Sequence, residues 1–97
     1  MKHLTVTELP SSGLPVFDVR EPWEYAAGHV PGAVNVPLGA LGAHLEELTA
    51  AQPVALICQS GGRSARAVEA LEAAGVSAVN VEGGTSAWSA AGRALES

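Results

Sequence analysis

The chain has 97 residues, a formal net charge of −5, 47% hydrophobic and 15% charged residues. That length supplies one core, burying roughly 60 to 65% of the unfolded surface, so residues 1–97 are expected to form a single domain. The apolar content excludes disorder, the acidic balance argues against nucleic acid as a partner, and no apolar run is long enough to span a bilayer. Residues 1–6 lack the apolar stretch of a signal peptide, and a lone cysteine, Cys58, suits a reducing compartment. A cytoplasmic location is therefore expected.

In chain order, a weak strand at residues 4–6 precedes a β-branched apolar run at 15–19, which reads as a strand. A helical pattern at 22–28 leads to a strand at 33–36. Leu38, Leu41, Leu45 and Leu48 then form a stripe at helical spacing, which predicts one helix over 38–50. A strand at 54–57 gives way to a helix over 64–74, with Val68, Leu71 and Ala74 facing inward, Arg66, Glu69 and Glu72 facing water, and Gly75 as its C′ residue. A strand at 78–81 and a closing helix at 85–91 complete the chain. Alternating strands and helices imply a mostly parallel sheet with helices on both faces and right-handed crossovers. Ligands of such sheets bind beyond the carboxyl ends of the strands, where residues 18–20, 35–37, 58–63 and 82–84 converge on one rim.

Cys58 opens the third of these strand ends, in the segment Cys58-Gln59-Ser60-Gly61-Gly62-Arg63-Ser64. A loop between a strand and a helix aims successive backbone N–H groups and the positive end of the helix dipole at its centre, so a thiol there ionises more readily than a free one. Gly61 and Gly62 let the backbone curl into that cradle. Arg63 at a helix start opposes the dipole, a position that calls for an anion to bind. Ser64 serves either as a helix-start hydrogen bonder or as a ligand to the sulfur, and Arg66, one turn on, faces either substrate or water. Asp18 and Arg20 read as a structural pair bracing the rim. His29 is expected to organise the loop at 28–32 through hydrogen bonds, since an ionised thiol needs no general base. Trp23, Tyr25 and Trp88 are expected first in the core and second at a pocket mouth.

Three segments together resemble the rhodanese family: Asp18-Val19-Arg20-Glu21-Pro22-Trp23-Glu24-Tyr25 with Gly28-His29-Val30-Pro31-Gly32-Ala33 and Asn35-Val36-Pro37-Leu38; the Cys58 to Ser64 loop; and Gly83-Gly84 with Ala87-Trp88. The resemblance implies an open five-stranded parallel sheet flanked by helices and a sulfurtransferase. In that chemistry the Cys58 thiolate takes a sulfur from a small anionic donor such as thiosulfate and passes it, as a persulfide, to cyanide or a thiol acceptor. The residues from Gln59 to Ser64 bind the substrate, with Asp18, Arg20 and His29 in support, and neither a metal nor an organic cofactor is called for. An alternative is a persulfide carrier or partner-binding module, with thioredoxin-like proteins or a cysteine desulfurase as its donor and acceptor. Cysteine phosphatases and arsenate reductases are the more distant alternative. They resemble a Cys-x5-Arg loop, whereas Arg63 lies five positions after Cys58, a Cys-x4-Arg ring one residue shorter that suits a sulfur atom better than a tetrahedral oxyanion. The only aspartate, Asp18, falls at an expected buried strand end, out of place as a phosphatase proton donor.

Overall fold

Four consecutive apolar residues, Val54–Ile57, form a strand in which every side chain is buried, and the sheet is built outward from it. The computed structural model describes residues 1–97. Its strands are β1 (His3–Leu4), β2 (Val16–Asp18), β3 (Val34–Asn35), β4 (Val54–Ile57) and β5 (Ala78–Val81), all parallel, in the order β1-β5-β4-β2-β3. The helices are α1 (Leu9–Ser12), α2 (Pro22–Ala26), α3 (Leu45–Ala51), α4 (Gly62–Ala73) and α5 (Gly84–Ala90). This is the α/β architecture the sequence implies, an open five-stranded parallel sheet covered on both faces. No helix is long and apolar enough to cross a membrane.

The two-residue period of a strand divides β4 between two cores. Val54, Leu56 and Cys58 point into one cluster with Leu48 of α3 and Ala67, Val68 and Leu71 of α4. Ala55 and Ile57 point into the other, with Leu9 of α1 and Trp88 of α5. From β2 the chain moves outward to β3, whereas from β4 it moves the opposite way to β5. The carboxyl ends of β2 and β4 therefore flank the point where strand order reverses, the place where open α/β sheets bind ligands. Arg20 and Cys58 stand on its two sides.

Several elements differ from the sequence reading, each for a local reason. Leu38 to Leu48 do not form one helix. Two 3-10 turns, Leu38–Ala40 and Gly42–His44, precede α3, because Gly39 and Gly42 weaken helix propagation and His44 leaves helical geometry at φ −110°, ψ 14°. Leu38 and Leu41 still pack against the core, but Leu45 is exposed. The single-turn α1 carries no periodic signal; Pro10 in its first turn and Gly13 at φ +71° bound it. At the end of α4 the Gly75 N–H donates to the Glu72 carbonyl and the Val76 N–H to the Leu71 carbonyl, a Schellman close with Gly75 at C′ as expected. Ala74, expected inward, is exposed because the helix has ended by that point. Trp23, expected in the core, is 73% exposed at the second position of α2. Trp88 is buried and Tyr25 half-buried against the same core: the Tyr25 hydroxyl donates to the Ala33 carbonyl, and Trp88 Nε1 donates to the Ala94 carbonyl at 2.8 Å.

Candidate active site at the Cys58 loop

Cys58 is the first residue past β4, 1% exposed, and its sulfur faces the start of α4. The Gly61 N–H points at Sγ at 3.1 Å and the Ser64 hydroxyl lies at 3.3 Å. Burial pushes the Cys58 thiol up and is the largest single influence on it. The Ser64 hydroxyl and the backbone N–H groups of Ser64, Gly61 and Ser60 together outweigh burial, and the thiol is held below its ordinary value of 9.0. The sulfur thus sits in a ring of donors at the positive end of a three-turn helix.

The two loop glycines are not equivalent. Gly61 has φ +107° and caps α4, a conformation that disfavours any Cβ. Gly62 is already helical and has open space where a side chain would go, so it requires no glycine. Of the two, only Gly61 is required to be glycine.

Arg63 does face an anion, and that anion belongs to the chain. Its Nη1 and Nη2 donate to the two carboxylate oxygens of Glu24 at 2.6 and 3.0 Å. The Arg63 hydrogen bond holds the Glu24 carboxyl at about 2, well below its usual 4.5, so the pair stays charged down to strongly acid pH. Glu24 is placed by α2 itself. Glu21 caps that helix, and Glu24, at its third position, accepts the Glu21 N–H at 3.0 Å in a reciprocal capping box. The dipole cost of an Arg at the start of α4 is thus offset from the neighbouring helix, and about a third of the Arg63 side chain remains open to solvent.

Behind the loop lies a buried polar brace. Asp18, fully buried at the end of β2, accepts the Arg20 backbone N–H at 3.0 Å, Arg20 Nε at 3.0 and 3.1 Å, and Nη2 at 2.8 Å. Arg20 also donates to the Gly28 carbonyl at 2.8 Å and to Gln59 Oε1 at 3.1 Å, and Gln59 Nε2 reaches Ser86 Oγ at 2.8 Å. Asn35 at the end of β3 ties in through the carbonyls of Asp18 and Arg20. The Gln59 side chain is thereby committed to the scaffold, while Ser60 is exposed. His29 stacks on Tyr25 with ring centroids 3.7 Å apart, its Nδ1 lies 2.9 Å from the Tyr25 carbonyl, and its backbone pairs with Glu96. It stays in the loop at 28–32 with no contact to the sulfur. Arg66 is exposed on α4. Neither of the molecule's two cavities is lined by a residue of the Cys58 loop.

The motif reading contains Glu24 and Gly84 but assigns them no role at the site, and it singles out neither Asn80 nor Thr85. Glu24 looks like an ordinary helix carboxylate, Asn80 interrupts the apolar run of β5, and Gly84 and Thr85 begin α5. The Thr85 N–H and hydroxyl donate to the Cys58 carbonyl at 2.9 and 3.1 Å, and the Ser86 N–H to the Gln59 carbonyl at 3.0 Å. A polar residue at the carboxyl end of a buried strand, as Asn80 is, was the one sequence signal available for these partners.

Fold and site together define an α/β protein with a buried cysteine at the switch point of a parallel sheet, its sulfur facing hydrogen-bond donors at a helix start. The chain belongs to the family of rhodanese-like domains, whose model matches residues 5–91. It is 38% identical over 91 residues to the uncharacterised protein YqhL of Bacillus subtilis, spanning 91% of this chain and 72% of that one. It is 40% identical over 73 residues to the "Putative sulfurtransferase YtwF" of the same organism, spanning 75% of this chain and 71% of that one. The crystal structure of a rhodanese-like domain protein from Staphylococcus aureus superposes with a TM-score of 0.84 at 38% identity, covering 91% of each chain.

Proposed function

We propose that this protein is a cytoplasmic sulfurtransferase in which residues 1–97 act as one domain and Cys58 carries a sulfane sulfur. The observation that carries this reading is the Cys58 sulfur, held below its ordinary pKa by convergent donors at the start of α4. The thiolate attacks the outer sulfur of thiosulfate, a new S–S bond forms, the bond to sulfite breaks, and sulfite leaves with the electron pair. Attack by cyanide or a thiol on the outer sulfur of the persulfide then returns the Cys58 thiolate. In the first step negative charge passes from Sγ to the departing sulfite and the outer sulfur of the persulfide stays anionic; in the second step charge returns to Sγ inside the donor ring, where fixed N–H groups stabilise it without reorganisation. The likeness to YtwF supports the same class of chemistry.

Arg63 is the group that would meet the sulfonate oxygens, sharing its exposed edge while Glu24 holds the other. Arg63→Ala is expected to lower kcat/KM for thiosulfate by about tenfold or more, the worth of a charge-assisted hydrogen bond. Steady-state thiocyanate formation measures this; an unchanged thiosulfate dependence removes Arg63 from the substrate site.

A second reading, a persulfide carrier serving protein donors and acceptors, is favoured by one observation. The loop cation is already neutralised by Glu24. Rapid turnover with thiosulfate and a small thiol supports the enzyme; sulfur uptake only from a cysteine desulfurase supports the carrier.

A further inference from the structure

The Ser64 hydroxyl has one proton and three acceptors within reach. Asn80 Oδ1 lies at 2.6 Å, the Gly61 carbonyl at 3.2 Å and Cys58 Sγ at 3.3 Å. Ser64 is fully buried and Asn80 is 5% exposed, so water does not serve as a substitute partner. The orientation of the Asn80 amide is set from its other side, where Nδ2 faces the Gly61 carbonyl at 3.4 Å; turning the amide over would set two oxygens against each other. Asn80 therefore presents an acceptor to Ser64, and it does so at the shortest of the three distances.

We propose that Asn80 is a positioning residue that competes with the Cys58 sulfur for the Ser64 proton, so that ionisation of Cys58 switches this hydroxyl from Asn80 to the sulfur. This rests on the reading of Cys58 as the nucleophile. While Cys58 is a thiol, its S–H donates to Ser64 Oγ and the Ser64 O–H donates to Asn80 Oδ1, and every proton has an acceptor. When Cys58 loses its proton to solvent, Sγ needs donors; the Ser64 O–H rotates to it, and the bond to Asn80 is given up. No proton leaves Ser64 and no covalent bond to it changes. Asn80 thus restrains ionisation of the resting thiol, and the hydroxyl is released only to the thiolate.

The charged groups around the loop leave this competition intact. Arg63 and Glu24 pair with each other from α4 and α2, and Asp18 and Arg20 pair behind the loop from β2. Glu82, beyond Asn80 at the end of β5, faces His3 at 3.8 Å. None of them hydrogen-bonds Ser64 or Asn80.

The test follows the Cys58 thiolate directly, through its ultraviolet absorbance and the pH dependence of its alkylation by iodoacetamide, with no sulfur substrate present. Asn80→Ala is expected to lower the Cys58 midpoint by about half to one pH unit, equivalent to about three- to tenfold more thiolate below the midpoint. In a Ser64→Ala background the same substitution is expected to move nothing, because the shared proton is gone. A midpoint that rises in Asn80→Ala would show that the amide donates to Ser64 and supports the thiolate, and would overturn the proposal, as would a shift that persists without Ser64. Should Asn80→Ala fail to fold, the Asn80 side-chain amide resonances of the unmodified protein carry the test. They are expected to titrate with the Cys58 midpoint, and constancy through it contradicts the switch. Because Cys58 titrates whether or not it accepts sulfur, failure here is distinct from failure of sulfur transfer.

Discussion

Gly84→Ala is expected to destabilise the protein by about 2 to 4 kcal/mol, in the range of forced overpacking with lost buried hydrogen bonds, and to cut sulfur transfer by about a hundredfold. Gly84 starts α5 at φ +58°, and a Cβ built on it would stand 2.3 Å from the Cys58 carbonyl oxygen and 2.8 Å from the Gln59 carbonyl carbon and oxygen. These are backbone atoms, so no side-chain rotation relieves the clash. Either α5 or the Cys58 peptide must shift, and the donors of Thr85 and Ser86 to the Cys58 and Gln59 carbonyls are lost with it. A displacement near 1 Å at the nucleophile is enough for the loss of rate. Urea unfolding and a transfer assay on the same preparation check both halves; Gly62→Ala, with open space at its Cβ, serves as the comparison and is expected to leave stability within about 0.5 kcal/mol of the parent or above it. A Gly84→Ala variant with parental stability would mean that α5 does not hold the loop.

The larger stability effect is expected at Asp18→Ala. Removal of this carboxylate leaves the Arg20 guanidinium, 3% exposed, without its counter-ion, a change that costs about 3 to 5 kcal/mol. For a domain of this size that is a large share of the whole, since total stability is about 5 to 15 kcal/mol. Arg20 also holds the Gly28 carbonyl and Gln59, so the loop at 28–32 and the Cys58 loop are expected to loosen together. The measurement is the denaturant midpoint at unchanged m-value. A loss below about 1 kcal/mol would reduce this pair to the worth of an exposed ion pair and contradict its role as the brace.

The long-range plan of the molecule was legible because β4 is an unbroken apolar run, β5 is apolar but for Asn80, and α4 carries both a helical stripe and a C′ glycine. β4 and β5 lie where the sequence reading puts them, and with them the strand ends that form the rim, while α4 starts two residues earlier than read, at Gly62. Between residues 38 and 50 the reading goes astray. The leucine spacing is helical there, but Gly39 and Gly42 let tertiary packing choose 3-10 turns that still pack Leu38 and Leu41 against the core. Trp23 is misplaced for a related reason. A large aromatic is usually buried, yet on a five-residue helix whose inner side is taken up by Glu24 and Tyr25, it has no interior to enter.

At the site, Cys58 and its donor loop are local in sequence, so their cradle could be read from strand, glycine and helix alone. The partners that tune it are not local. Glu24 is 39 residues from Arg63, Asn80 is 16 residues from Ser64, and Thr85 is 27 residues from Cys58. The requirement for an anion at Arg63 was visible from the helix dipole, but not that the chain supplies one itself. A sulfonate arriving at the loop would share Arg63 with the Glu24 carboxylate.

The proposed function requires that Cys58 accept a sulfane sulfur. Intact-protein mass spectrometry after exposure to sulfane-sulfur donors, thiosulfate in one arm and a cysteine desulfurase with its substrate in the other, tests it directly. The expected result is the added mass of one sulfur atom, mapped to Cys58, removed by cyanide with formation of thiocyanate, and absent from Cys58→Ser. Absence of the adduct with both donors, while the folded protein hydrolyses an aryl phosphate, would contradict the account.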